Sequence, residues 1–290
     1  MLVREPVAAG GFYPAGKDEC LRMIRSLPAV ELPADLPERP VAGIVPHAGW
    51  IFSGATALAV LKAIQSKRSA KTFVLFGAVH RPIGRSAVFA SGAWRTPLGL
   101  AAVDERLARE VLALAGDLLE DNPRAHVGEH SIEVQVPLIQ HLFPDAKIVP
   151  IAVLPEPAAT EIGLAVARAI RNSGCDAVCL GSTDLTHYGP AYGFTPRGYG
   201  EKAIQWVRDE NDRRMIDLAL RLDAEAAVPE AESRANACGS GAVAATLAAA
   251  RQLGAKRGCL VHYTTSYDVM REQMGERDSD AAVGYAGLIF

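Results

Sequence analysis

Six short apolar runs set the terms on which this chain can fold. They are Val41–Val45, Thr72–Phe76, Ile148–Val153, Ala177–Leu180, Cys259–Tyr263 and Ala282–Ile289. They are rich in Val, Ile and aromatic residues, and most are bounded by Gly or Pro, as strands are. Several are continuously apolar, the pattern of strands buried on both faces. Helix-period stretches lie between them: Gly54–Gln65, Asp104–Leu114, Ile132–Leu142, Ala158–Arg171, Lys202–Arg221 and Gly241–Leu253. Gly254 is a natural stop for the last. This alternation predicts a mainly parallel sheet covered by helices on both faces, an α/β/α sandwich. Residues 1–290 read as one domain. Leu32–Pro40, with three prolines, is a surface connector, and Tyr188–Gly200 is a loop bordering the site.

Composition narrows the function classes. A chain of 290 residues that is 49% hydrophobic can bury a large core. Its net charge is -3 and it has no extended basic cluster, which argues against nucleic acid or an acidic membrane surface as partner. Five cysteines form an odd, sparse set that is no disulfide framework. There is no secretory signature at the N-terminus and no apolar run of the roughly 18 residues a membrane span needs. The expectation is a cytoplasmic protein.

The chemistry-bearing residues fall at the ends of the strand-like runs. His47 follows the first in Pro46-His47-Ala48-Gly49, and His80 follows the second in Gly77-Ala78-Val79-His80. Asp184 and His187 follow the fourth in Ser182-Thr183-Asp184-Leu185-Thr186-His187. In an open α/β sheet the carboxyl ends of the strands face one crevice. Imidazoles, a carboxylate and a thiol gathered there are the inventory of a transition-metal site. Taken singly, His47 reads first as a turn residue capping the strand end, and His80 as either a ligand or a polar rim residue. If Asp184 and His187 begin a helix, they share a face, with His187 as base and Asp184 its orienter or a metal-facing carboxylate. Ser53 is placed to cap the helix that starts at Gly54.

Glu129-His130-Ser131-Ile132-Glu133 is a second, denser cluster of proton-handling groups. It also reads as a helix start, with Ser131 as cap and Glu133 in the first turn. It lacks the two histidines at i, i+4 of a zinc protease. Cys238 stands just before a helical run, where a thiol tends toward thiolate and suits metal ligation or nucleophilic work. Cys20, Cys175, Cys179, Cys259, His126, His141 and His262 read as structural.

Several motifs occur together, in order: Ala9-Gly10-Gly11-Phe12-Tyr13-Pro14, Pro46-His47-Ala48-Gly49-Trp50-Ile51-Phe52-Ser53-Gly54, Arg95-Thr96-Pro97-Leu98-Gly99, Glu129-His130-Ser131-Ile132-Glu133-Val134-Gln135-Val136-Pro137, Ser182–Gly189 and Ala237-Cys238-Gly239. In this combination the chain resembles the Memo family, also called the AmmeMemoRadiSam system protein B family, from about residue 4 to its end. That resemblance implies a fold like the class III extradiol dioxygenases, with a mononuclear non-haem iron site. By it, His47 and His80 match the two ligand histidines, and Cys238 matches the third ligand position, where the dioxygenases carry a glutamate. His187 matches their catalytic histidine, and Asp184 an acidic residue of the Memo pocket. Two segments depart from the family's pattern: Gly-Ala-Val-His before His80, and Ser-Thr-Asp-Leu-Thr before His187. Both bear on substrate contacts.

The function expected is therefore an Fe(II)-dependent, dioxygenase-like oxidoreductase. His47, His80 and Cys238 would hold the metal, and His187, Asp184, His130 and Glu129 would act in catalysis. A thiolate ligand also admits copper or zinc. The rival is a metal carrier or peptide-binding protein that kept the fold without the chemistry; a hydrolytic metalloenzyme stands behind both. The expected partner is a small molecule or peptide in the metal pocket. The resemblance adds association with radical-SAM and other proteins of the same system.

Overall fold

The apolar runs become the strands of one large sheet, with ends that differ from expectation by one or two residues. The computed structural model describes residues 1–275 and 280–290. In chain order the strands are β1 (Val3–Arg4), β2 (Ala42–Val45), β3 (Thr72–Gly77), β4 (Ala87–Val88), β5 (Ala93–Thr96) and β6 (Gly99–Ala102). They continue with β7 (Glu120–Asp121), β8 (Lys147–Ala152), β9 (Ala177–Ser182), β10 (His187–Tyr188), β11 (Cys259–Thr265) and β12 (Ala282–Ile289).

The large sheet runs β10-β12-β2-β9-β3-β8-β4-β7, with β11 on β12. Its centre, β2-β9-β3-β8, is parallel and mostly apolar, with Thr72, Lys147 and Ser182 at strand ends. The flanks depart from the expected parallel pattern: β12 is antiparallel to β2, β10 and β11, and β4 to β8. A smaller sheet, β1-β5-β6, carries the N-terminal strand.

Helices cover both faces of the centre. A Cβ at Gly43 would meet Val60 of the helix Trp50–Gln65, whereas one at Gly181 would lie 2.2 Å from Thr246 Oγ1 in the helix Ser240–Leu253. Gly43 pairs with Leu180, so Gly181 faces the other way. The helix Ala158–Ser173 packs on Ser240–Leu253 to complete that layer. The helices of both layers are rich in Ala, and the sheet between them is lined by Val, Ile, Leu and Phe. None of the helices among the described residues is long and apolar enough to cross a membrane.

Three helical stretches differ from the sequence reading. The first begins at Trp50 with Gly49 as its N-cap; Ser53 sits inside it and donates to the Ala48 carbonyl at 3.1 Å. Ile132–Leu142 starts as a 3₁₀ turn (Glu133–Gln135) before the helix Val136–Leu142, with Pro137 in its first turn. Lys202–Arg221 is broken by a π turn at Val207–Asn211. That turn aims Asn211 and Asp212 inward: Asn211 Nδ2 donates to Thr186 Oγ1 (2.9 Å), and Thr186 N–H donates to Asp212 Oδ1 (2.9 Å).

Candidate metal centre

Three loops meet at the carboxyl ends of the central strands. His47 follows β2, His80 follows β3, and the segment after β9 carries Asp184 and leads into His187. The loop with His130 is drawn to the same place. Gln135 Nε2 donates to the Pro46 carbonyl (2.7 Å), and the Trp50 indole N–H to the Val134 carbonyl (3.0 Å).

His47, His80 and His130 form a cluster whose donor atoms all lie within 4.8 Å of one another. Their ring centroids are 5.1 Å apart for His47–His80, 5.3 Å for His47–His130 and 4.7 Å for His80–His130. Metal–imidazole bonds are about 2.0–2.1 Å long, so small ring movements bring this span to coordination distance. Burial, then the neighbouring His80, lowers the proton affinity of both His47 and His130. Neutral imidazoles are the ligating form.

The hydrogen bonds behind the rings fix their tautomers. Ser182 Oγ donates its one proton to the Ser131 carbonyl (2.7 Å), so it must accept from His47 Nδ1 at 3.0 Å. His47 Nε2 then carries the lone pair. His80 Nδ1 meets both Glu129 oxygens at 3.0 and 3.2 Å, which leaves its Nε2 for a metal. Burial lowers the pKa of His80, but the Glu129 hydrogen bond and charge outweigh it and raise the net value.

Glu129 does more than hold one ring. Its carboxylate accepts the backbone N–H groups of His80 (2.8 Å), His130 (2.9 Å) and Ser131 (2.9 Å). Burial would raise its pKa; the hydrogen bonds from His80 and these amides hold it well below the carboxylate range. One anion thus staples two histidine-bearing loops together.

Cys238 touches this cluster from beside His47: Sγ lies 3.2 Å from Nε2. The contact is possible because Gly239 has no side chain; a Cβ there would lie 2.4 Å from the Ser182 carbonyl. Asp184 N–H donates to the sulfur (3.3 Å) and Cys238 N–H to the Asp184 carbonyl (3.1 Å). The helix-start position suggested a thiolate. Instead, burial and then the Asp184 charge push the thiol far above its ordinary value, so without metal its S–H faces His47 Nε2. The imidazole cluster holds His130, expected to act in catalysis, and Cys238, expected as a ligand, stands beside it against His47. Glu129, expected to act in catalysis, lies behind the rings as their anchor.

Asp184 Oδ1 accepts the His47 backbone N–H at 2.7 Å, and burial raises its pKa. It does not share a helical face with His187, because residues 183–186 are irregular and His187 pairs with Val283 in β10–β12. His187 Nδ1 donates to the Leu185 carbonyl at 3.1 Å, and its ring stands edge-on to Tyr192 at 5.1 Å. Asp184 and His187 nevertheless line one cavity of about 550 Å³ with the three histidines. Sequence reasoning missed Phe12, Phe52, Ser266, Met270 and Tyr285 in the same wall. Two motifs held a signal: Gly-Gly-Phe-Tyr-Pro for Phe12 and Pro-His-Ala-Gly-Trp-Ile-Phe for Phe52. Ser266, Met270 and Tyr285 come from segments without any motif.

Glu133, four residues from Glu129, serves the frame. It accepts Arg4 Nη1 (2.7 Å), Tyr13 Oη (2.8 Å) and the Val7 and Ala8 amides, all away from the cavity. Ser131 caps nothing; its hydroxyl donates to the Ala78 carbonyl (3.1 Å). All five cysteines are free. A larger cavity of about 590 Å³ lies at the opposite sheet end, beside Val41 and Phe290. Its charged groups are mixed in sign and partly paired, as in Arg257–Asp35 at 3.3 Å, and it gathers no histidines.

Residues 4–289 match the family model described as Memo-like protein. A MEMO1 family protein of Thermococcus onnurineus is 38% identical over 299 residues, covering 100% of this chain and 99% of the relative. One from Thermococcus kodakarensis is 39% identical over 303 residues, with 100% and 99% covered. A solved structure of an uncharacterized protein from Escherichia coli K12 superposes with a TM-score of 0.53 at 12% identity. That match covers 87% of this chain and 100% of the other, a likeness of fold alone.

Proposed function

Because the chain belongs to the Memo-like protein family, we propose that it is a metal-dependent oxidoreductase with one transition-metal ion held by His47, His80 and His130. The convergence of these three imidazoles carries the reading. A bound Fe(II) would supply redox chemistry toward dioxygen and a coordinated ligand. The chain's own residues have separable tasks. Glu129 orients His80 and ties its loop to that of His130. His187, with Nδ1–H committed to the Leu185 carbonyl, offers Nε2 as the atom that takes or returns a proton. Tyr192 and Tyr285 have raised pKa values, mainly through burial, and stay hydroxyl donors to a bound ligand. Phe12 and Phe52 keep water from one side of the cavity.

The test is metal content after purification without oxygen, followed by oxygen uptake with candidate catechols. Wild type should hold one ion per chain and His130→Ala should lose most of it. His187→Ala should keep the metal and lose turnover. Full metal retention in His130→Ala together with loss in Cys238→Ala would return the ligand set to His47, His80 and Cys238. A second reading, a copper carrier, draws on Cys238 Sγ at 3.2 Å from His47 Nε2, since a soft sulfur favours Cu(I). A carrier would prefer Cu(I) over Fe(II) and would be indifferent to His187→Ala.

A further inference from the structure

A second cleft, of about 470 Å³, opens beside the metal cavity. Phe12, Gly49 and Phe52 line both. Gly11, Met23 and Ile51 belong to the cleft alone. No charged residue lines it, whereas the metal cavity carries Asp184 and four histidines. Ile51 is 45% exposed although it is a large apolar residue in the first turn of its helix. The Phe12 ring stands 4.6 Å from that of His130, so one residue joins the apolar wall to the metal site.

The glycines carry the argument further. Gly49 has φ -55 and ψ 141, a backbone any residue adopts, and a Cβ there would meet nothing closer than 3.7 Å. At Gly11 the nearest atom is likewise 3.7 Å away. Neither the local packing nor, at Gly49, the backbone requires glycine, in contrast to Gly239. Both positions face the cleft, and any side chain there would narrow it. Space kept open in this way, largely apolar and sharing three wall residues with a polar cavity, fits the apolar part of a ligand.

We infer that the ligand is a small amphiphile, with a polar chelating head in the metal cavity and an aliphatic or aromatic arm laid past Phe12 and Phe52 into the cleft. The position of the head rests on the proposed metal site; that of the arm rests on the cleft alone.

Alkyl hydroxamates of two lengths test this on the full chain loaded with Zn(II), which binds chelators without redox turnover. Calorimetry compares acetohydroxamate with octanohydroxamate, and the ¹³C-labelled methyl of Met23 reports occupancy of the cleft. Each buried methylene contributes about fourfold in affinity. Six extra methylenes, partly buried, should make octanohydroxamate at least about tenfold tighter and shift the Met23 methyl, which acetohydroxamate leaves in place. Gly11→Leu and Ile51→Asp should each reduce the length preference to about threefold or less. The second places an acid in the first turn of a helix, where it is tolerated. Equal affinities for the two lengths, or a preference that both variants leave intact, overturns the proposal. So does a dimer in sedimentation that Ile51→Asp dissociates, because the cleft would then be covered by a second copy. If acetohydroxamate does not bind the zinc-loaded protein, the metal reading fails and the arm is judged on metal-free protein. There, a Met23 shift with octanohydroxamate that Gly11→Leu abolishes sustains it, and no shift overturns it.

Discussion

Glu129 and Glu133 belong to one motif, both are buried, and they do different work. Glu133 faces a cation: Arg4 Nη1 at 2.7 Å, with Tyr13 and two N-terminal amides around it. The same Arg4 donates to the His126 carbonyl (2.9 Å) and the Glu129 carbonyl (2.5 Å) and stacks over Trp94 at 4.2 Å. This is a lock between the N-terminal segment and the motif. Glu129 faces an imidazole and three amides of two loops, so its charge is spent on the orientation of candidate ligands. Residue type and burial are the same; the partner decides between a frame and a function.

The largest effect that would sharpen this contrast is in stability. Glu133→Gln leaves Arg4 buried without its counter-charge, a loss of about 3–5 kcal/mol. Denaturant unfolding should show it, while the protein that remains folded keeps its metal affinity. The next effect is in binding. Glu129→Gln should lower metal affinity by about 10–100-fold, as loss of a ligand's orienting partner does. Calorimetric titration measures it. An unchanged affinity combined with a stability loss equal to that of Glu133→Gln would erase the distinction between the two carboxylates.

A third buried carboxylate gives an effect spread over several pH units, of the opposite sign to a paired acid. Asp212 accepts Thr186 N–H and Tyr263 Oη (2.7 Å), yet burial outweighs both and raises its pKa to about 7. The folded state then holds a proton that the unfolded chain, at its ordinary value of 3.8, has released. This contribution to stability is complete below that value and is lost as pH rises through about 7. The slope is at most about 1.4 kcal/mol per pH unit. Asp212→Asn, which mimics the protonated acid, should flatten the decline between pH 4 and 7 in thermal melts. A slope that persists in the variant would assign the pH dependence to other groups.

Much of the frame was legible in the chain itself. Continuous apolar runs of Val, Ile and Phe have no stable place except between two helical layers, so six strands could be located from pattern alone. The same logic put His47 and His80 at the crevice, because a polar residue directly after a buried strand must lie at its end. The antiparallel flanks were not legible: a strand buried on both faces has the same composition whichever way its neighbour runs. The irregular run from Asp184 to His187 was equally hidden. Its i, i+3 spacing suits a helix, and only pairing of His187 with Val283 overrides it.

The sequence by itself determined which residue types could do chemistry here and which strand ends would carry them. Tertiary structure decided how they combine. His130 reaches the cluster because Glu129 accepts amides from its loop and from that of His80, a pairing 49 residues apart that no spacing rule encodes. Cys238 is a thiol against His47 rather than a helix-start thiolate, because burial depends on everything packed around it and outweighs the local helix end. Local pattern follows from neighbours in the chain, whereas ligand sets and protonation states follow from neighbours in space.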